Sequence, residues 1–224
     1  MRLCTGSATD GSPIAPDGSP VGLYRMLPPG REPEIITAVS PPGACVLELG
    51  CGAGRITHAL VAAGHPVVAV DQSADMLEHV RDARTVLSDI ESLDLGERFP
   101  VVTLGSCLVN MPELGEAFLD TCRRHVDDDG IVLVQRTSPQ WARSLRAGTR
   151  LRVGPFDVLI TEARVEDGLL TATQECTDGT TTWTHSWTDI VFEDGEFEEL
   201  VTGRGFSSPR WTAEEWALLR PSPR

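Results

Sequence analysis

Val46-Leu47-Glu48-Leu49-Gly50-Cys51-Gly52-Ala53-Gly54 is the stretch from which the rest of this 224-residue chain is read. Val46, Leu47 and Leu49 make a short apolar strand that carries one acid, Glu48. Gly50 to Gly54 make a tight turn, and Ile56, Thr57, Ala59, Leu60 and Val61 open a helix. Glycines let backbone approach a ligand closely, and a helix N-terminus offers free N–H donors. A strand, a glycine turn and a helix in this order therefore mark a binding site.

The spacing narrows the ligand. A dinucleotide fingerprint, Gly-x-Gly-x-x-Gly, needs its third glycine where Arg55 stands; here that glycine comes one residue early, at Gly54. An oxidoreductase reading is therefore unsupported. An acid at the strand end would repel a diphosphate but suits an ammonium or sulfonium charge. A Walker phosphate loop would end in Gly-Lys-Ser/Thr, and the chain has no lysine; its 19 basic residues are all arginine. That absence also removes lysine Schiff-base and pyridoxal-phosphate chemistry.

The following strands supply the remaining acids. Val67-Val68-Ala69-Val70 is continuously apolar, as a strand buried on both faces should be, and ends in Asp71. An acid about twenty residues past the turn can accept hydrogen bonds from ribose hydroxyls. Ser73 is a natural N-cap for a helix through Asp75 and Leu77, with Met76 placed near an adenine face. Thr85 to Ser88 makes a third strand, ending at Asp89, which can accept from an exocyclic amino group. Glu48, Asp71 and Asp89 are thus expected along the carboxyl edge of one sheet, where open α/β sheets bind ligands.

The chain here resembles the class I S-adenosylmethionine-dependent methyltransferases, of the bacterial small-molecule type. The resemblance rests on Val46–Gly54, on Val67 to Leu77, on Ser88-Asp89-Ile90, and on the stretch from Phe99 to Val134. In the last, a strand (Val101 to Leu104) ends in Gly105-Ser106, a helix runs from Leu114 to Val126, and Asp127-Asp128-Asp129-Gly130 turns into a fifth strand, Ile131 to Gln135. It covers residues 33–137 well and the remainder loosely. It implies a Rossmann-like, doubly wound α/β fold with a mostly parallel seven-stranded sheet, and S-adenosylmethionine as cofactor. By resemblance Gly50, Cys51, Gly52 and Gly54 carry its methionine part. Asp71 with Gln72 and Met76 takes the ribose side, Asp89 with Ile90 takes adenine, and Glu48 joins them as a cofactor contact. Gly105 and Ser106 fall where methyl group and acceptor meet.

Composition suits one compact enzyme. The length fits a single large α/β domain. A net charge of −14 makes nucleic acid an unfavourable partner, since phosphate binding needs a basic stripe. No apolar run is long enough to span a bilayer. Residues 1–20, rich in Gly, Ser, Pro and Asp and lacking an apolar export core, are expected as a flexible tail, and the location as cytoplasmic. The six cysteines are scattered, with no Cys-x-x-Cys pair, so free thiols are expected, not disulfides or zinc. The expected partner is a small-molecule acceptor, with neither nucleic acid nor membrane, and the protein is expected as a monomer or homodimer.

Residues 21–224 then form the single methyltransferase domain, with the cofactor-binding core at 33–137. After the fifth strand the texture changes. Leu151 to Arg164, Leu169 to Thr177 and Thr181 to Phe192 read as a three-stranded antiparallel insert over 151–192, with turns at Glu166-Asp167-Gly168 and Thr177-Asp178-Gly179. Glu196 to Thr202 reads as a helix, and Phe206 to Trp211 and Trp216 to Arg220 as closing strands, a helix being the alternative for the last.

The insert and the entry segment hold the acceptor-side candidates. Alternation on Thr181 to Phe192 puts Trp183, His185, Trp187 and Asp189 on one face. Trp183 and Trp187 either wall the acceptor or pack the sheet onto the domain. His185 is a general base or a structural histidine, and Glu175 is a second candidate base for a hydroxyl acceptor. Tyr24, the only tyrosine, sits in an entry segment (Tyr24 to Gly30) that resembles the lids of small-molecule methyltransferases. It either steers the acceptor or packs its ring on the core. Arg25 pairs with the methionine carboxylate or stays solvated, and Asn110 binds the acceptor or marks a helix entry at Pro112. The expected reaction is metal-independent in-line transfer to N or O of a specialised metabolite. The alternatives are a fold-mate using the same cofactor for other chemistry, such as cyclisation, or a non-catalytic binding module.

Overall fold

The computed structural model describes residues 4–223. The chain starts with β1 (Thr5–Ala8), α1 (Val21–Tyr24) and α2 (Glu32–Val39), then β2 (Val46–Leu49), α3 (Arg55–Ala62), β3 (Val67–Asp71), α4 (Ala74–Leu77) and β4 (Arg84–Leu87). It continues with β5 (Phe99–Leu104), a 3-10 turn (Leu108–Asn110), α5 (Gly115–His125), β6 (Val126–Gln135) and α6 (Pro139–Ser144). It closes with β7 (Arg150–Val153), β8 (Phe156–Glu166), β9 (Leu169–Thr177), β10 (Thr182–Ile190), α7 (Asp194–Gly203), β11 (Arg210–Ala213) and β12 (Trp216–Leu219).

Seven strands form the main sheet, in the order β11-β12-β6-β5-β2-β3-β4. β2, β3, β4, β5 and β6 are parallel, and β12 joins β6 antiparallel with β11 outside it. The apolar runs of β2, β3 and β5 follow from burial on both faces. On one face Phe118, Leu119, Phe197 and Val201 of α5 and α7 pack on Leu47, Leu49, Val102 and Leu104. On the other, Ile36, Ile56 and Leu60 of α2 and α3 pack on Val46, Val101 and Leu133. From β2 the chain winds outward to β3 and β4, then returns to β5 on the other side. That reversal opens a crevice beyond the carboxyl ends of β2 and β5. The expected α/β fold and seven-stranded sheet are what the structure has; the last closing segment is a strand, Trp216–Leu219, while the one expected from Phe206 begins only at Arg210 and runs to Ala213.

The second sheet is larger than the expected three strands. Its order is β1-β10-β9-β8-β7, all antiparallel. The segment expected as one strand from Leu151 to Arg164 is a hairpin, β7 and β8, reversing at Gly154-Pro155 because Gly154 takes φ +56°. The expected turn at Asp167-Gly168 has both residues at positive φ, +50° and +76°, the geometry that matches strand twist in two-residue hairpins. The Asp127 to Gly130 turn is absorbed into β6 as a bulge: Phe99 pairs with Val126, and Val101 pairs with Ile131.

The fifth strand of that sheet comes from the segment expected to be a flexible tail. Residues 1–3 lie outside the described residues, but Thr5–Ala8 pairs along β10, with Gly6 opposite His185. The chain then turns back, with Ile14 bridged to Pro20, and buries Ala15. Composition gave no sign of this. The strand is half-exposed and polar, and what holds it is the unpaired edge of a sheet contributed by residues 182–190.

Candidate functional site

The glycine turn is shaped by its backbone. Gly50, Gly52 and Gly54 all have positive φ, +71°, +54° and +86°. The N–H groups of Gly50 and Cys51 both donate to the Val70 carbonyl, 2.9 Å, which pins the turn against β3. The next N–H, of Gly52, donates 2.8 Å to Asp71 Oδ2, and Ser73 N–H donates 2.9 Å to Oδ1. Asp71 is thus the clamp between the two strand ends, and its remaining lone pairs face a cavity. Burial raises its carboxyl above the usual range, and these two backbone donors oppose the shift.

That cavity, about 340 Å³, lies in the crevice. Gly50, Gly52, Asp71, Gln72, Met76, Asp89 and Ile90 line the end of it beside the glycine turn. Ser73 caps α4 by accepting from Met76 N–H, 3.2 Å, which fixes Met76 in the wall. Ser106 and Cys107 line it as well. Both sit in the left-handed region, φ +52° and +56°, although neither is glycine. Such strain costs on the order of 1–3 kcal/mol per residue and persists where surrounding structure enforces it, often at working sites. Ser106 N–H is held by Gln135 Oε1 at 2.8 Å.

The other end is built by parts distant in sequence. Cys4, Asp17, Ser19 and Tyr24 come from the N-terminal segment, Thr137 and Trp141 from the end of β6 and from α6, and Gln174, His185, Trp187 and Asp189 from β9 and β10. Tyr24 stands edge-on to His185, and His185 stacks on Trp187 at 5.8 Å. Burial pushes the Tyr24 hydroxyl up to about 12, against a hydrogen bond from Ser19, so it remains a phenol at neutral pH. Burial lowers His185, leaving a neutral ring whose Nε2 has no partner among the described residues. Burial also lifts the Cys107 thiol to about 12, which keeps it protonated.

Other candidates lie elsewhere. Glu48 is 3% exposed, absent from the cavity wall and bonded by Thr57 Oγ1 at 2.6 Å. It supports the turn from beneath, as does the buried Cys51. Gly54 caps α3, and an added Cβ would meet the His58 ring at 2.8 Å. Gly105 faces Ile56 and Trp216, not the cavity. Arg25 opens onto a separate surface cleft with Asp75 and His79. Asn110 is wholly buried: its amide donates to the Ile190 carbonyl, 2.6 Å, and accepts from Thr137 N–H, 2.9 Å. It is a clasp between the two sheets and touches no acceptor space. Trp183 is buried edge-on against Phe156, the packing alternative. Glu175 is on the exposed face of β9, since alternation sends its neighbours Gln174 and Cys176 inward. The cavity-lining residues missed by sequence reasoning include Cys4, Asp17, Ser19, Cys107, Thr137, Trp141, Gln174 and Asp189. Only Asp189 carried a signal, its place on the face of Trp183, His185 and Trp187.

Glu48 gives a measurable pH effect. Burial is the largest influence on it and raises its carboxyl from 4.5 to about 7, with Thr57 and Arg55 opposing. The folded state therefore holds a proton that the unfolded chain has lost, and stability falls as pH rises from 4.5 to about 7. The loss is on the order of 3 kcal/mol for Glu48 alone. Asp71 and Asp189 are shifted the same way. Thermal unfolding of the ligand-free protein is expected at lower temperature near pH 8 than near pH 5. Glu48→Gln keeps the Thr57 bond and should remove about half of that difference. An unchanged slope would contradict this account.

Comparison with known proteins agrees with this geometry. The family profile described as a methyltransferase domain matches residues 46–130. The chain is similar to the cypemycin N-terminal methyltransferase of a Streptomyces species, 38% identical over 115 residues, covering 47% of this chain and 46% of that one. It is also similar to the dTDP-3-amino-3,6-dideoxy-alpha-D-glucopyranose N,N-dimethyltransferase of Streptomyces fradiae, 32% identical over 154 residues, covering 60% of this chain and 58% of that one. The matches thus span about half the length of these curated relatives. Among solved structures, the S-adenosylmethionine-bound amino pentose methyltransferase CalS10 of Micromonospora echinaspora superposes with a TM-score of 0.64 at 16% identity, over 85% of this chain and 89% of that one. Residues 46–130 match a methyltransferase domain, and the chain has the fold of solved S-adenosylmethionine-dependent methyltransferases.

Proposed function

We propose that this protein transfers a methyl group from S-adenosylmethionine to a nitrogen or oxygen of a small molecule, without a metal. The observation that carries this reading is the Asp71 clamp on a glycine turn, opening into a cavity closed over by a second sheet. The residues present fit the cofactor. Asp71 and Asp89 offer acceptors for ribose hydroxyls and an exocyclic amine, and Met76 and Ile90 offer apolar contact to a base. Among the described residues no arginine lines the cavity, so a cationic ligand meets no repulsion from them.

When bound, the cofactor supplies an already activated sulfonium methyl. The protein has to exclude water and hold the acceptor in line. The N-terminal segment, Trp187 and Trp141 do the first. Ser106, Cys107 and Thr137 sit where the second is done. Tyr24 lies over the glycine turn, its Cδ1 3.9 Å from a Cβ built on Gly52, and His185 stands edge-on to it. There they confine the reacting end as a neutral hydroxyl donor and a neutral imidazole.

Isothermal titration tests the reading. S-adenosylmethionine and S-adenosylhomocysteine are expected to bind with micromolar or tighter affinity, unaffected by chelator. Absence of binding by both ligands would overturn it, and product mass spectra without an added methyl would exclude transfer.

A further inference from the structure

Asp189 is the buried acid that nothing so far explains. It lies on β10, is 7% exposed and lines the acceptor end of the cavity. Thr137 Oγ1 donates to its Oδ2 at 2.7 Å, and the Trp187 indole is a second donor. Among the described residues it makes no ion pair. The groups facing it are neutral or acidic: Thr137, Trp187, the Cys107 and Cys4 thiols, and Asp17 further off. Neutral hydrogen bonds alone leave a buried carboxylate short of compensation, and such groups are normally paired. Among the described residues the cavity wall contains no Arg, and its one histidine is neutral. The cation that the described residues do not supply can enter with a ligand.

Resting on the methyltransferase reading, we propose that the acceptor is a small-molecule amine, and that Asp189 binds its ammonium and removes the proton. Trp187 beside it, and Trp141 elsewhere in the same cavity wall, offer aromatic faces that attract a cation. An anionic acceptor such as a carboxylate would meet Asp189 and Asp17 with no compensating charge. The proton balance closes on these groups. An ammonium N–H gives its proton to the Asp189 carboxylate, which becomes the neutral acid and leaves the nitrogen with a free lone pair. That lone pair forms the new carbon–nitrogen bond as the sulfur–methyl bond breaks, its electron pair staying on sulfur. The methylated product is again an ammonium. Burial already lifts the Asp189 carboxyl to about 6, so it can hold the proton without a large penalty.

Three probes of one shape test this: benzylamine, benzyl alcohol and benzoate, titrated by ligand-observed NMR into protein loaded with S-adenosylhomocysteine. Benzylamine is expected to bind at least about tenfold more tightly than benzoate. Asp189→Asn, which keeps an acceptor for Thr137, is expected to erase that preference while leaving S-adenosylhomocysteine affinity unchanged. If the variant does not fold, the wild-type ranking decides alone. Benzoate or benzyl alcohol binding as well as benzylamine, or no measurable benzylamine binding, would overturn the proposal. So would an Asp189→Asn protein that keeps the benzylamine preference but loses affinity for S-adenosylmethionine relative to S-adenosylhomocysteine, because Asp189 would then serve the sulfonium. Failure to bind S-adenosylhomocysteine at all overturns the functional reading and this inference with it; the other outcomes strike only the acceptor.

Discussion

Asp71→Ala is expected to weaken S-adenosylhomocysteine binding by about a hundredfold, measured by isothermal titration. The carboxylate does two jobs at once. Its oxygens accept from Gly52 and Ser73 N–H groups at 2.8 and 2.9 Å, and it lines the cavity where the ribose is proposed to lie. Hydrogen bonds to a charged group contribute roughly 1.5–3 kcal/mol each, and about 1.4 kcal/mol is tenfold in affinity. Losing the ribose contacts accounts for one or two factors of ten. Losing the Gly52 tie loosens the turn that has to meet the rest of the ligand. Asp71→Asn separates the jobs, since its amide oxygen can still accept from one N–H. It should fall between the alanine variant and the wild type. If both variants bind within twofold of the wild type, the clamp has no part in cofactor binding.

Gly6→Ala is expected to release the N-terminal segment while leaving the main sheet intact. A Cβ at residue 6 would stand 1.9 Å from the Gly18 carbonyl oxygen, a backbone atom that cannot swing aside. Gly18 in turn has φ +88° and crosses Thr5 at contact distance. The two glycines are the point where the strand and the returning loop cross. The crossing is what brings Ala15, Asp17 and Ser19 over the cavity. With it broken, amide exchange across β1 and residues 15–19 should become fast, while β2 and β3 stay protected. Affinity for S-adenosylhomocysteine should drop by about tenfold, and methyl transfer by about a hundredfold, because an open site admits water and misplaces the acceptor. Unchanged exchange in residues 4–20 would show that the segment tolerates the added carbon and that the crossing is not what holds it.

The cofactor half was legible because its information is local. Gly50, Gly52 and Gly54 announce backbone conformations that other residues resist, and Asp71 and Asp89 follow at strand ends that their own apolar runs mark out. Glu48 was misread for the same reason: its position was right, but only the packing of α3 shows that Thr57 covers it and turns it away from the cavity. Glu175 failed on register. One residue separates it from Gln174, and the bulge at Thr161 and the pairing to β10 decide which of them faces inward.

The acceptor end was hidden by distance along the chain. Gly6 pairs with His185, Asn110 reaches Ile190, and Thr137 reaches Asp189. None of these pairings has a local pattern, because each depends on an edge or a clasp made by elements that fold separately. The sequence by itself determined the parallel sheet, the glycine turn and the acids beside it, since periodicity and left-handed glycines act over a few neighbouring residues. Only the tertiary structure decided that a polar N-terminal segment closes the site. It alone left Asp189 buried and, among the described residues, without a cation, because burial and charge pairing are properties of the assembled chain.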